Sequence, residues 1–119
     1  MATETIKGEE YAVEYNDVTQ QVSFIGTIRL QSTDEYEPIT HLLHQAHDQT
    51  SDGQPVNLDF RQLQFLNSAG INMISRFVIA ARKQDKVNLK VLGNQDIYWQ
   101  QKSLTNLQRL WSKVEIEIQ

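Results

Sequence analysis

The spacing of apolar residues changes from a strand period to a helix period in the middle of the chain. Apolar side chains alternate with polar ones from Val56 to Phe60, which is typical of a strand with one face on a core. From Ile71 onward they recur every three or four positions, which predicts an amphipathic helix. We expect a short apolar loop between the two elements. Either Asn67 or Ser68 is expected to be the N-cap of the helix.

The same two periods define the other predicted elements. Ser32 precedes Glu35 by three residues, the spacing of a capping box, so a helix is expected to begin near Ser32. Pro38 leaves this start open by about one turn, because it would kink a helix capped at Ser32 but would suit the first turn of a helix that begins later. The predicted strands are 11–15, 21–30, 56–60, 87–91 and 114–118, and the predicted helices are 32–48, 68–84 and 97–111.

The order of these elements predicts an α/β fold. Strand–helix–strand units require parallel pairing, and the short polar link between the first two strands predicts an antiparallel hairpin. The sheet is therefore expected to be mixed and mostly parallel. The chain has 119 residues, enough for a single domain, which we place at residues 9–119. Residues 1–8 are polar and are expected to be disordered or frayed.

Composition argues against several classes of protein. The chain has no cysteine, which excludes a disulfide framework, a thiol nucleophile and cysteine metal sites. No signal peptide is found, and the longest apolar run, Phe77 to Ala81, is too short to cross a bilayer. The net charge of −4 and the scattered basic residues argue against nucleic-acid binding. We therefore expect a cytoplasmic protein with no membrane segment and no nucleic-acid partner.

The two halves of the chain carry opposite charge. Residues 1–60 contain eleven acidic and two basic residues, a balance of −9, whereas residues 61–119 contain nine basic and four acidic residues, a balance of +5. If the halves interleave around one core, these charges mix on the surface, which is the expectation that we prefer. The alternative is an acidic face and a basic face that meet different partners.

Three histidines, His41, His44 and His47, lie in the first predicted helix. His41 and His44 share one face, but His47 lies about 240° around the helix from His41, so one straight helix cannot bring all three to a single ion. We therefore expect no metal site. The chain also lacks a Gly-x-Ser-x-Gly elbow and a glycine-rich phosphate loop, so we expect no catalytic residues and no cofactor.

Two adjacent aromatic residues, Tyr98 and Trp99, follow a predicted strand. They are expected to pack in or beside the core, as large aromatic side chains usually do. The alternative is that they form an exposed anchor for a protein partner.

The segment before the second predicted helix carries a recognisable motif. Asp59-Phe60 is followed by three spaced apolar residues and then by Asn67-Ser68-Ala69-Gly70-Ile71. This pattern resembles the signature of STAS domains, the family of bacterial anti-sigma factor antagonists, and the resemblance extends over about residues 10–118. The chain differs from the usual family pattern at Asn67, where the family has Asp.

The resemblance implies a STAS-type fold, with the helices mainly on one side of the sheet, and a non-enzymatic role in partner switching. In the family, a serine kinase that also acts as an anti-sigma factor phosphorylates the serine of this motif, and a serine phosphatase removes the phosphate. Carried over residue by residue, the motif implies phosphorylation at Ser68. The implied partner-binding residues are Asn67, Ser68, Ala69, Gly70, Ile71 and Asn72.

Two questions stay open at the level of sequence. Ser68 is either only the helix cap or a regulated hydroxyl; a phosphate there would be tolerated by the helix dipole but not by a partner packed against it. Asn67 marks either an unphosphorylated member of the family or a changed partner preference. The alternative function is a constitutive STAS scaffold or ligand-binding module that is never phosphorylated.

Overall fold

A six-stranded sheet with three helices makes up the computed structural model, which describes residues 3–50 and 54–119. The described chain alternates strands and helices after an initial run of three strands. The elements are β1 (Thr3–Lys7), β2 (Tyr11–Asn16), β3 (Gln21–Ile28), α1 (Thr33–Gln49), β4 (Val56–Leu66), α2 (Ser68–Gln84), β5 (Leu89–Gly93), α3 (Tyr98–Leu110) and β6 (Glu115–Ile118).

The strands lie in the sheet in the order in which they occur along the chain, β1-β2-β3-β4-β5-β6. β2 pairs antiparallel with both β1 and β3. The pairs β3–β4, β4–β5 and β5–β6 are parallel, and each of these connections contains one helix. The predicted mixed, mostly parallel α/β sheet is therefore confirmed.

The N-terminal segment differs from the expectation of a frayed end over residues 1–8. Residues 3–7 form β1, which pairs with β2 from Thr3 opposite Asn16 to Lys7 opposite Ala12. Ile6 packs against the core, and the Gly8 N–H donates to the Tyr11 carbonyl over 2.9 Å to close the turn. Polar composition misled the prediction because an edge strand is stabilised by its neighbour rather than by its own apolar content. Residues 1 and 2 lie outside the described part of the chain.

The core lies between one face of the sheet and the layer of helices. Alternate strand residues such as Val13 and Leu58 are fully buried, and Phe24 stacks on Phe60 with ring centroids 4.6 Å apart. α2 contacts both α1 and α3, so the three helices form one layer. On the other face of the sheet, intervening residues such as Glu14 remain exposed. The helices therefore cover one side of the sheet, as expected.

β4 is longer than predicted, because it continues through the segment that was expected to be an apolar loop. Its pairing with β3 shifts register between Ser23 and Ile25 and again between Gly26 and Thr27. Gly26 has a φ of 92°, a conformation that favours glycine, at this irregularity. Such irregularities interrupt the two-residue period, so the apolar pattern after Phe60 no longer resembles a strand. The extension carries the chain directly to the start of α2.

The capping box predicted at the start of α1 is present. The Ser32 hydroxyl accepts a hydrogen bond from the Glu35 N–H over 3.1 Å, and the Glu35 carboxylate accepts from the Ser32 N–H over 3.1 Å. Hydrogen bonds to the carboxylate from the Gln31 N–H and the Ser32 N–H lower the pKa of Glu35. Ser32 is thus the N-cap, and Pro38 lies inside the helix. Within the described residues, the structure has no helix with the length and apolar character needed to span a bilayer.

Candidate functional site

Asn67 is the N-cap of α2 and uses both ends of its side-chain amide. The oxygen accepts a hydrogen bond from the Gly70 N–H over 3.0 Å and another from the Tyr36 hydroxyl over 2.7 Å. The amide nitrogen donates to the Leu30 carbonyl over 2.9 Å. The orientation of the amide is set by its partners, because the Gly70 N–H can only donate and the Leu30 carbonyl can only accept. Asn67 therefore ties α2 to α1 and to the end of the β3 segment.

An aspartate could not make the same set of contacts. A carboxylate would still accept from Gly70 and Tyr36, but it has no proton to donate to Leu30. Burial raises the pKa of Tyr36 to about 12, so its hydroxyl stays protonated and donates throughout the physiological range. The amide of Asn67 therefore makes a hydrogen bond to Leu30 that a carboxylate could not make.

Ser68 is the first residue of α2 and is exposed. Because Asn67 accepts the capping hydrogen bond, the Ser68 hydroxyl is not needed to cap the helix. Within the described part of the chain, no group hydrogen-bonds to this hydroxyl. Asn67 is therefore the cap, and Ser68 is an exposed residue at the first position of the helix.

The first turn of α2 is electropositive at the position of Ser68. The Gly70 N–H is bound by the Asn67 side chain and the Ile71 N–H by the Asn67 carbonyl, over 3.0 Å in each case. Among the described residues, none accepts a hydrogen bond from the N–H groups of Ser68 and Ala69. The first turn has no acidic residue, and Arg82 and Lys83 lie in the last turn. This end of the helix is chemically suited to an added anion.

Gly70 is required by packing inside the domain. It is buried, and a Cβ atom at this position would lie 2.7 Å from the Tyr36 hydroxyl and would also clash with Leu66. The surface that approaches Gly70 closely is therefore formed by α1 and β4 of the same chain. Of the six predicted partner-binding residues, Ser68 and Asn72 are exposed, Asn67, Ala69 and Ile71 are half-buried, and Gly70 is buried.

The histidines of α1 have three different environments. His41 is exposed, whereas His44 packs edge-on against Phe77 with centroids 5.4 Å apart. His47 is buried against the same ring, and its Nε2 atom has no hydrogen-bond partner. Burial lowers the pKa of His47, although Asp48, 3.7 Å away, opposes this shift. Over residues 3–50 and 54–119, no group of three or more possible ligands could hold a metal ion.

The aromatic pair after β5 is divided between surface and interior. Tyr98 is 95% exposed, whereas Trp99 is half-buried and its indole N–H donates to the Gln64 carbonyl over 2.9 Å. Phe65, the residue after Gln64 in β4, is 43% exposed. Its ring centroid lies 5.8 Å from the Cζ atom of the Arg29 guanidinium. Trp99 thus follows the expectation of packing, and Tyr98 follows the alternative of an exposed aromatic side chain.

Sequence reasoning missed the residues that hold the site in place. No pattern in the sequence indicates that Tyr36 of α1 donates a hydrogen bond to the Asn67 side chain. Gln100 is fully buried; its amide nitrogen donates to the Phe60 carbonyl over 2.5 Å and to the Leu63 carbonyl over 2.9 Å, and its oxygen accepts from the Asn94 N–H over 2.8 Å. A glutamine on a helix ordinarily indicates a solvated position, so no signal in the sequence could have revealed this role.

Comparison with known proteins gives a fold but no family. No protein-family model and no curated protein matches this sequence. SiaC of Pseudomonas aeruginosa superposes with a TM-score of 0.72 at 13% identity, over 100% of both chains. The crystal structure of diguanylate cyclase SiaD in complex with its activator SiaC, from the same organism, matches with a TM-score of 0.72 at 14% identity, over 98% of this chain and 99% of that chain.

A third match is the crystal structure of apo-SiaC from Pseudomonas aeruginosa, with a TM-score of 0.66 at 15% identity, over 100% of this chain and 99% of that chain. The chain has the fold of SiaC. The predicted STAS-type α/β fold, with its antiparallel start and parallel remainder, is therefore confirmed. At such low identity, the similarity supports the architecture and not the role of any residue.

Proposed function

We propose that this protein is a non-enzymatic partner-switching regulator that binds another protein through the first turn of α2 and is controlled by phosphorylation of Ser68. The observation that carries the proposal is the exposed Ser68 hydroxyl beside a helix cap made entirely by Asn67. The hydroxyl has no structural task within the domain, so it can be modified without loss of the cap. The surface around it, formed by Ala69, Ile71 and Asn72, is the proposed contact with the partner.

The physical basis of the switch is that a phosphate on Ser68 has a different effect on the stability of the free domain than on the stability of the complex. A phosphate on Ser68 adds about −1.5 to −2 charges at the positive end of α2, where free N–H groups stabilise it. A partner packed on the same turn would have to accommodate the added bulk and desolvate the charge. The modified protein should therefore stay folded while the complex dissociates.

The partner class rests on two sources. The motif resembles that of anti-sigma factor antagonists, whose partners are anti-sigma factors of the serine kinase type, with a serine phosphatase as the opposing enzyme. SiaC, which shares the fold, is named as the activator of the diguanylate cyclase SiaD. We propose a cytoplasmic signalling protein of one of these two kinds as the partner, with a kinase and a phosphatase acting on Ser68.

The alternative of a constitutive scaffold loses its main support. That alternative rested on Asn67 in place of Asp, as a mark of a site that is no longer phosphorylated. The hydrogen bond from Asn67 to Leu30 explains the amide by the packing of this chain instead. This packing role of Asn67 is independent of phosphorylation, and it supports the switch over the scaffold.

The test begins with phosphate mapping by mass spectrometry on protein purified from its own cells. We expect a phosphopeptide that contains Ser68 in the wild type and no phosphate in Ser68→Ala. Labelling that persists on another residue in Ser68→Ala, or a complete absence of phosphate under all growth conditions, would contradict the regulatory proposal.

Partner capture then tests the consequence of the charge. Wild type and Ser68→Ala should retain the same partner, and Ser68→Glu should retain at least about tenfold less. Asn88→Glu is the matched control, because Asn88 is exposed in the segment after α2, at the other end of the helix. Equal retention by Ser68→Glu and wild type would exclude the switch.

A further inference from the structure

An apolar groove runs between α2 and α3 and begins one helical turn from Ser68. We call it the α2–α3 groove. Two cavities form it, and they are continuous because both are lined by Ile71, Ser103 and Leu107. The groove as a whole is lined by Ile71, Ser75, Trp99, Ser103, Leu107 and Leu110.

The shape of the groove is suited to a protein segment rather than a small molecule. Its inner cavity, over Phe60 and Leu66, holds only about 10 Å³, so the floor is closely packed. The outer cavity holds about 200 Å³ and is bordered by the small polar residues Ser75, Ser103 and Asn106. Small side chains on both rims permit close approach of another backbone. The 13 residues of α3 give the groove a length of about 20 Å, or about four turns of a docked helix.

The two helices that border the groove carry charge of a single sign. α2 and α3 contain no Asp or Glu and carry five basic residues, Arg76, Arg82, Lys83, Lys102 and Arg109. Lys102 and Arg109 are exposed on α3, and Arg82 donates to the Leu110 carbonyl over 3.0 Å at the far end of the groove. α1, on the other side of α2, contains four acidic residues and no Lys or Arg. The helical layer is therefore polarised, and the two helices that border the groove form its basic part.

We infer that the α2–α3 groove binds an amphipathic helix with acidic flanks, contributed by the partner of the Ser68 switch. This inference rests on the proposed function, because it gives the chemistry of the partner that the first turn of α2 contacts. Apolar residues on one face of that helix, spaced three or four positions apart, lie over the half-buried Ile71 and Leu110. Its carboxylates face Lys102 and Arg109, which orient it in the groove and speed its association. A phosphate on Ser68 adds negative charge at the end of this site and opposes an acidic ligand.

The test is an unbiased selection of helical peptides on the wild-type protein. The probe is a displayed library of 16-residue peptides, a length of about four turns, with random charge at the exposed positions. We expect the enriched peptides to be amphipathic and net negative. Their chemical-shift changes in the labelled protein should fall on the lining residues of the groove. Peptides that are enriched without negative charge, or that map to the open face of the sheet, would overturn the inference, as would a failure to enrich any peptide.

Two sets of variants define the site. Lys102→Glu/Arg109→Glu should weaken the selected peptides by at least about tenfold, whereas Lys7→Glu/Lys86→Glu, with the same change of charge at exposed positions elsewhere, should not. Ser75→Tyr should weaken them by filling the groove. The two double variants change only exposed charges, so they test the inference even if Ser75→Tyr folds poorly. Equal affinity for both double variants would contradict the inference.

The outcomes separate this inference from the proposed function. If the groove variants release the peptides but Ser68 is never phosphorylated in cells, the groove site stands and the switch fails. If Ser68 is phosphorylated but the captured partner still binds Lys102→Glu/Arg109→Glu normally, the switch stands and the groove site fails. Sedimentation that shows concentration-dependent self-association, lost in the same double variant, would assign the groove to a second copy of this chain and would also overturn the inference.

Discussion

Asn67 shows how one side chain can combine a local and a long-range task. Its oxygen caps α2 locally through Gly70, while its two other hydrogen bonds reach Leu30 and Tyr36, 37 and 31 residues away. Because the cap is made by Asn67, the neighbouring Ser68 is left with an exposed hydroxyl. The availability of Ser68 for chemistry thus depends on the identity of the residue before it.

Replacing Asn67 by Asp tests whether the amide is needed. The change removes the donor to the Leu30 carbonyl and places a carboxylate oxygen against the carbonyl oxygen. The helix dipole favours the negative charge and so offsets part of the lost stability. We expect Asn67→Asp to lower the free energy of unfolding by about 1 kcal/mol in urea titrations. Asn72→Asp, exposed in the same helix, should change it by less than about 0.5 kcal/mol. An Asn67→Asp variant as stable as wild type would show that the Leu30 contact is dispensable.

Buried His47 makes stability depend on pH. Its pKa is lowered in the folded state from the usual 6.5, so the unfolded chain takes up a proton at a higher pH than the folded protein does. The stabilising contribution is complete above pH 6.5 and is lost as the pH falls from there toward the lowered pKa. Asp48, His44 and Lys86 face this ring and set the extent of the shift.

We expect the free energy of unfolding to fall below pH 6.5 by at most about 1.4 kcal/mol per pH unit from this group. His47→Leu should flatten the profile in that range, and His44→Gln should leave most of the slope in place. A slope that is unchanged in His47→Leu would assign the pH dependence to other groups.

At the level of elements, α3 and β4 are joined by polar contacts as well as by apolar packing. Gln100 is fully buried and bridges two carbonyls of β4 and the backbone of the turn after β5. The irregular end of β4 leaves carbonyl groups turned toward the helices, and Gln100 satisfies two of them. These hydrogen bonds fix the position of α3 relative to β4, the strand that leads to the first turn of α2. They also fix the position of one wall of the α2–α3 groove, because α3 forms that wall.

Gln100→Leu tests this connection. The substitution keeps the size of the side chain roughly constant but leaves two carbonyls and the Asn94 N–H without their partner. We expect a loss of about 3 kcal/mol in the free energy of unfolding, since each unsatisfied buried group costs about 1–3 kcal/mol and the losses are not fully additive. Gln101→Leu, exposed at the next position, should cost less than about 0.5 kcal/mol. Similar stabilities for the two variants would contradict the bridging role.

At the scale of the whole molecule, the two halves of the chain lie side by side, because the strands follow chain order across the sheet. Asp59 and Arg61 lie two positions apart in β4, where the halves meet, and the Arg61 hydrogen bonds, 2.9 Å at the closest, lower the pKa of the Asp59 carboxyl against the effect of burial. In the helical layer, the acidic α1 lies on one side of α2 and the basic α3 on the other. The interleaving of the two halves that we preferred from the sequence is therefore not found, either in the strand order or in the helical layer.

The whole domain should tolerate a phosphate on Ser68. Protein carrying phosphoserine at position 68 should melt within about 3 °C of the unmodified protein, because the helix dipole offsets the added charge by about 0.3–1 kcal/mol. Differential scanning calorimetry of the two forms measures this, with Ser68→Ala as the uncharged control. A large drop in melting temperature would mean that the phosphate acts by unfolding α2 rather than by excluding a partner.

The sequence by itself determined the order of elements from Tyr11 onward and the capping box at Ser32. These features are encoded by local periods and by contacts within one helical turn. Only the tertiary structure decided that Thr3–Lys7 form a strand, that β4 continues to Leu66, and that Asn67 rather than Ser68 is the cap. Each of these depends on partners distant in sequence: β2 for the edge strand, β3 for the irregular pairing, and Leu30 and Tyr36 for the amide. Sequence periodicity does not identify such partners. It indicates which face of an element is buried but not which residues pack against that face.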